Sequence, residues 1–337
     1  MDSVHNYVWH DPVWQQLWQQ PERLPHALLL HGPAGTGKRR FARAVAARIL
    51  CQRPAADGYA CGQCASCHWL EQDAHPDFFL LSPDSGEDES AEGDKPQKRK
   101  SAWINVEQVR NLVELTALSK HQGGWRVVIV EPAEQLNLNA ANALLKTLEE
   151  PSERTLFLLV TARLNRVMPT IRSRCLKLAL PAPGPSQAEA WLRERGLGNS
   201  AALLHEAGGA PLLALELAEP AYREQADWLL QALGKGPAMD ALQVAEKLQD
   251  MPIASCVDIV QKWLFDLLRT RLVKAGHFYP DYANNLQALV KSVNLSRLST
   301  LLDTAQRIRR AAYHPLNARL VQEELLLGYQ ALFQADS

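Results

Sequence analysis

The apolar run Ala27 to Leu30 leads into Gly32-Pro33-Ala34-Gly35-Thr36-Gly37-Lys38-Arg39, whose glycine and lysine spacing is that of a phosphate-binding loop between a strand and a helix. In such a loop the glycines let backbone N–H groups cradle phosphate, the lysine reaches the terminal phosphates, and a Ser or Thr hydroxyl ligates magnesium. Here Arg39 stands where that hydroxyl belongs, and a guanidinium ligates no cation. A second departure follows the run Val127 to Val130, which ends in Glu131-Pro132. A nucleotide hydrolase of this design has Asp there for the metal, often followed by Glu for the attacking water. Pro132 supplies no such group, so little or no hydrolysis is expected. Gly32, Gly35, Gly37 and Lys38 remain, which leaves weak nucleotide or phosphate binding open beside the plainer reading of a glycine turn joining strand to helix.

Strand signals are confined to the first half: Ala27 to Leu30, Phe78 to Leu81, Arg126 to Val130, Thr155 to Val160 and Leu176 to Leu180. Most are apolar on both faces, as buried parallel strands are. Helical patterns lie between them, one from about Ile104 to Lys120 with an Asn105…Gln108 capping pair and a stop at Gly123-Gly124, another from Asn139 to Glu149 ending before Pro151. The alternation predicts an α/β domain with a parallel sheet over 1–182. Beyond the linker-like Pro181 to Pro185 the pattern turns helical. Ser186…Glu189 reads as a capping box opening a small helical unit, 183–219, punctuated by Gly208-Gly209-Ala210-Pro211. Pro220 opens an all-α domain, 220–337, with apolar stripes at Ile253, Val257, Val260, Leu264, Leu267 and Leu268 and from Leu316 to Leu327. Ser82 to Ser101 carries six acids from Asp84 to Asp94 and then Lys95, Lys98, Arg99 and Lys100, the composition of a disordered insert.

A chain of 337 residues, 47% hydrophobic and 22% charged, is ordinary for a soluble protein of two or three domains. Its 36 basic and 37 acidic residues give a net charge of −1, which offers no whole-chain argument for nucleic-acid binding but leaves room for a local basic patch. Met1 to His10 has no basic segment followed by an apolar stretch, and no run is long enough to cross a bilayer. A cytoplasmic protein without a membrane partner is expected.

Four of the six cysteines, Cys51, Cys61, Cys64 and Cys67, have the short spacings that close a tetrahedral Zn²⁺ shell of thiolates. A closed four-sulfur shell leaves no open position for substrate, so a structural zinc is expected, with reduced thiols as the alternative and His68 and His75 as spare ligands. Cys175 and Cys256 read as small buried apolar residues.

After the fourth strand comes Pro169-Thr170-Ile171-Arg172-Ser173-Arg174-Cys175. An arginine at a subunit edge can place its planar guanidinium on the γ-phosphate of a nucleotide held next door. By sequence alone, an ordinary surface ion pair is the simpler reading of Arg174. Taken together, the cysteine array after the loop helix, Asn142 to Pro151 (NALLKTLEEP), Ser173-Arg174-Cys175 and Gly208 to Pro211 resemble the bacterial clamp-loader AAA+ family over nearly the whole chain. The degenerate nucleotide motifs are similar to the delta-prime branch of DNA polymerase III rather than the ATP-hydrolysing gamma/tau branch, which stands as the alternative.

The resemblance implies an AAA+ domain, a helical lid and a helical collar that packs into a pentameric ring with gamma/tau and delta subunits, acting on the sliding clamp and primed DNA through the complex. It implies that Arg174 is a finger completing an ATP site on a neighbouring gamma/tau subunit, with polymerase activity belonging to other subunits. Leu212 falls where an active relative's lid has a phosphate-sensing arginine. A different class of function, a zinc-containing nucleic-acid module, is disfavoured by the acidic neighbourhood of Glu71, Asp73 and Asp77.

Overall fold

The computed structural model describes residues 5–83, 103–117, 124–311 and 317–334. The chain divides into two compact units, Met1–Ala182 and Pro183–Ser337.

In the first unit β1 (Ala27–His31), β2 (Phe78–Leu81), β3 (Arg126–Val130), β4 (Thr155–Thr161) and β5 (Leu176–Ala179) form one sheet in the order β2-β3-β4-β1-β5. Every pairing is parallel; Leu29 lies opposite Leu159 on one side and Lys177 on the other. Successive side chains point to opposite faces. Leu28 and Leu30 therefore join one core with Phe41, Val45, Leu156 and Leu158, whereas Ala27 and Leu29 join another with Val128, Phe157, Leu144 and Leu148. Helices α1 (Asp11–Leu17), α2 (Lys38–Leu50) and α3 (Ala65–Glu71) supply the first layer; α4 (Val106–Ala117) and α5 (Leu138–Glu149) supply the second, before the short α6 (Pro169–Arg172). Two covered faces explain why the central strands are apolar through their middles, with polar residues such as Arg126, Thr155 and Thr161 only at their ends. Each fully buried Leu or Phe contributes roughly 1.5–3 kcal/mol. The edge strand β5 departs from that pattern, with Leu176 55% exposed.

The expected strand spans hold to within one residue. Asn105 and Gln108 form the reciprocal cap of α4, each side chain accepting from the other's backbone N–H at 2.9 Å. The charged insert lies outside the described residues apart from Ser82 and Pro83; of the expected helix stop at Gly123-Gly124, Gly123 lies outside them and Gly124 is described just before β3.

The second unit holds α7 (Pro185–Arg193), α8 (Ser200–Glu206), α9 (Pro211–Leu217), α10 (Pro220–Gly234), α11 (Ala241–Lys247), α12 (Ile253–Val273), α13 (Ala283–Leu289), α14 (Leu295–Ala311) and α15 (Ala318–Ala331). No strand occurs among its described residues. Pro185, Pro211 and Pro220 each begin a helix, where a missing N–H costs nothing and the fixed φ suits the first turn. This overturns the capping box at Ser186: Pro185 takes the first helical position, Gly184 is the cap, and no side chain caps α7. Glu189 instead lies 4.0 Å from Arg193.

Val257, Val260, Leu264 and Leu267 of the α12 stripe have no exposed surface. Around them Trp263 Nε1 donates to Tyr329 Oη at 3.0 Å, and that hydroxyl donates to the Leu233 carbonyl at 2.7 Å. On α15, Leu325 and Leu326 are buried while Leu320 and Leu327 are exposed; Leu316 lies outside the described residues. No helix among the described residues is long and apolar enough to cross a membrane.

Candidate nucleotide loop, arginine tip and metal centre

The loop after β1 has its curvature built in. A Cβ on Gly32 would collide with the Leu180 carbonyl oxygen, and Gly35 and Gly37 take φ of 68° and 92°, the left-handed region that favours glycine. Lys38 opens α2 and is 6% exposed. Its Nζ donates to the Pro33 carbonyl at 2.6 Å, and Thr36 Oγ1 donates to the same oxygen at 3.0 Å. The lysine is thus folded back onto its own loop. Burial lowers its pKa, with Glu131 and Glu134 opposing.

Arg39 and Glu131, the two positions that depart from a working magnesium site, face each other: Nε lies 3.4 Å from Oε2. Burial pushes the Glu131 carboxyl up, and Arg39 and then Lys38 pull it back. The arginine side chain is 61% exposed, so the pair contributes at most about 1 kcal/mol. What it does is place a fixed positive charge beside the carboxylate that follows β3. The Glu131–Pro132 bond is cis.

Sequence reading missed what packs on this loop. Trp9 Nε1 donates to the Thr36 carbonyl at 2.8 Å, Tyr7 stacks on Trp9 with centroids 4.7 Å apart, and the Arg40 guanidinium lies 4.5 Å over Tyr7. The Tyr7 ring occupies the space a Gly37 side chain would need. Nothing in the local pattern around Tyr7 signals a partner some thirty residues away.

Arg174 follows α6, and its side chain is 34% exposed. Its Nε donates to Glu149 Oε1 at 2.7 Å, its Nη2 reaches the same carboxylate, and Nη1 donates to the Thr170 carbonyl at 3.0 Å. Glu149 ends α5, within the NALLKTLEEP segment, so two helix ends aim one guanidinium. Leu212 lies in the first turn of α9, half-buried.

Cys51, Cys61, Cys64 and Cys67 converge, with all four sulfurs within 4.8 Å of one another. Four of the sulfur separations, 3.5, 3.9, 4.0 and 3.5 Å, bracket the edge of about 3.8 Å that a tetrahedron with Zn–S near 2.3 Å requires. The donor set and its shape fit a structural metal. Cys51 follows α2 and the other sulfurs sit on or just before α3, so a bound ion would tie the loop helix to the module. Backbone N–H groups, Gln63's foremost, pull the Cys61 thiol down to about 6, while burial pushes Cys67 up.

His68 and His75 stay outside the cluster. The ring Nδ1 of His75 accepts from the Asp77 N–H at 3.0 Å, which makes Nε2 the donor to Ser66 Oγ at 2.8 Å; Ser66 in turn donates to the Leu50 carbonyl at 2.6 Å. The histidine therefore braces the module. Asp77 does not add to an acidic surface as the sequence suggested: it is buried, 3.9 Å from buried Arg126, and Asp73 pairs with Arg43 at 2.6 Å. Cys175 and Cys256 are buried as expected, and burial raises their thiols to about 11 and about 12.

A parallel sheet with a glycine loop between β1 and α2, followed by an all-α unit, defines a P-loop protein whose metal positions are altered. A family model described as DNA polymerase III, delta subunit, matches residues 10–184, and one described as DNA polymerase III, delta subunit, C terminal, matches 222–331. The delta' subunit of Pseudomonas aeruginosa is 36% identical over 336 residues, covering 97% of this chain and 98% of that protein. The Escherichia coli K12 delta' subunit is 31% identical over 338 residues, covering 97% and 96%. The tau subunit of the same organism is 30% identical over 226 residues, 67% of this chain but 32% of tau. The chain belongs to the DNA polymerase III delta' family.

Proposed function

We propose that the chain is a non-hydrolysing subunit of a clamp loader that lends Arg174 in trans to an ATP site on a neighbouring gamma/tau subunit. The carrying observation is the Arg39–Glu131 pair: the two positions that would share magnesium share a salt bridge instead. Lys38, turned onto the Pro33 carbonyl, adds a second reason for weak nucleotide binding at Gly32, Gly35, Gly37 and Lys38. Arg174 supports the other half, because a forked bond to Glu149 orients a partly exposed guanidinium without burying it.

In this reading 183–219 is a lid and 220–337 a collar that assembles with gamma/tau and delta, using exposed apolar residues such as Leu272, Leu320 and Leu327. The Cys51, Cys61, Cys64 and Cys67 set holds a structural zinc. The sliding clamp and primed DNA are engaged through the complex. The test pairs two assays. The isolated chain is expected to show no magnesium-dependent ATP turnover, and Arg174→Ala is expected to lower DNA-stimulated turnover of the reconstituted complex at least about tenfold. Turnover by the isolated chain would establish the gamma/tau-type alternative; unchanged complex activity would remove Arg174 from the reaction.

A further inference from the structure

The cysteine cluster is open on one side. A cavity of about 260 Å³ lies against it, with Cys61 and Cys67 in its wall beside Arg43, Ala47, Leu70 and Glu71. That is several times the roughly 30 Å³ that one water takes in the liquid, so a small uncharged molecule fits next to the sulfurs. Access to the four is unequal. Cys61 is half-buried, whereas Cys51, Cys64 and Cys67 keep 9%, 4% and 8% of their surface, and neither Cys51 nor Cys64 lines the cavity.

Spacing within the cluster is unequal too. The sulfurs of Cys51 and Cys61, and those of Cys64 and Cys67, stand 3.5 Å apart, against 3.9 Å for Cys51–Cys64 and 4.0 Å for Cys61–Cys67. The two short separations share no residue, so they divide the cluster into two complete pairs. The first pair is also held by the backbone, because the Cys61 N–H donates to Cys51 Sγ at 3.3 Å. A covalent S–S bond is about 2.0 Å long, so these pairs need the least movement to form one.

We infer that Cys61 is a modification site for small hydroperoxides, and that Cys51 resolves its oxidation into a disulfide that opens the metal shell. The last clause rests on the zinc proposed above; the sulfur chemistry rests on the four thiols alone. The thiolate is the nucleophile, and sulfurs that ligate a metal are deprotonated. Cys61 Sγ attacks one peroxide oxygen, an S–O bond forms as the O–O bond breaks, and hydroxide leaves. The Cys51 thiolate then attacks the sulfenic sulfur, forming S–S and expelling a second hydroxide. Two thiolates have lost two electrons and the peroxide has gained them. The remaining two sulfurs cannot close a four-sulfur shell. Cys51 directly follows α2, so the crosslink keeps the loop helix tied to the cysteine module after the shell has opened, and thiol exchange can reverse it. Cys175 and Cys256 are buried and stand apart from the cluster.

The experiment uses the full chain, its zinc content first measured by metal analysis, and adds hydrogen peroxide in steps. Zinc release is followed with a chromophoric chelator, and crosslinks are mapped by mass spectrometry after the remaining thiols are alkylated. At one equivalent of peroxide, Cys51–Cys61 is expected as the main crosslink, with loss of one zinc for each disulfide formed. Excess peroxide is expected to add Cys64–Cys67 and to leave Cys175 and Cys256 as thiols, and dithiothreitol with zinc to restore the starting state. A first crosslink other than Cys51–Cys61 overturns the assignment, as do sulfinic acid at Cys61 without a crosslink and four cysteines left reduced in excess peroxide. Disulfide formation with the zinc retained would remove the opening of the shell. A chain found to hold no zinc would refute the structural-zinc reading separately, while the crosslink map would still decide the role of Cys61.

Discussion

His10 has no exposed surface and packs edge-on against Phe41, 5.7 Å between centroids. Burial holds its imidazole neutral down to about pH 4, against an ordinary value of 6.5, with Lys38 acting in the same direction and a backbone contact at Pro181 opposing. The folded value lies below the unfolded one, so between those limits the unfolded chain takes up a proton that the folded chain refuses. The resulting stability is complete above pH 6.5 and drains away as acid approaches pH 4, by an amount on the order of 3 kcal/mol. His10→Phe keeps an aromatic ring in place and removes the titration. Urea midpoints at pH 4.5 and 7.5 are expected to lie closer together in the variant than in the parent, and an identical gap in both would exclude His10 as a source of the acid sensitivity.

At the scale of single elements, helix starts separate real caps from apparent ones. Asn105 and Asn137 each accept an N–H from their helix's first turn, at 2.9 and 2.8 Å. Asn105→Ala and Asn137→Ala are each expected to cost about 1 kcal/mol in chemical denaturation, and Ser186→Ala close to nothing. A comparable loss at Ser186 would mean that its hydroxyl caps α7 after all. The same contrast explains what was legible in the sequence. The central strands were readable because burial on both faces forces an apolar run through their middles, and α4 because its two capping side chains sit three residues apart. Ser186…Glu189 has the right spacing, but Pro185 outranks it by fixing φ one residue earlier. The convergence of four cysteines was also legible, since their spacing alone brings three sulfurs to one short segment. The partners of the site residues were not. Glu149 and Arg174 are 25 residues apart, Trp9 and the Thr36 carbonyl 27, and pairs at that distance leave no local period to detect.

For the whole molecule, the division into Met1–Ala182 and Pro183–Ser337 gives each unit its own core. The cysteine cluster belongs to the first alone. If it holds zinc, stripping the ion with a chelator is expected to lower the melting of that unit by at least about 5 °C and leave the second unchanged, as read by calorimetry. A scan indifferent to chelator would show that the four thiols do not carry a stabilising ion. The loop of the first unit has a different kind of independence. Because Lys38 and Thr36 both bond the Pro33 carbonyl, its curve is maintained by the polypeptide itself and needs no phosphate to complete it. On the proposed reading of a subunit that does not turn over ATP, the surface the loop offers to a neighbour would stay constant as the surrounding adenylate pool rises or falls.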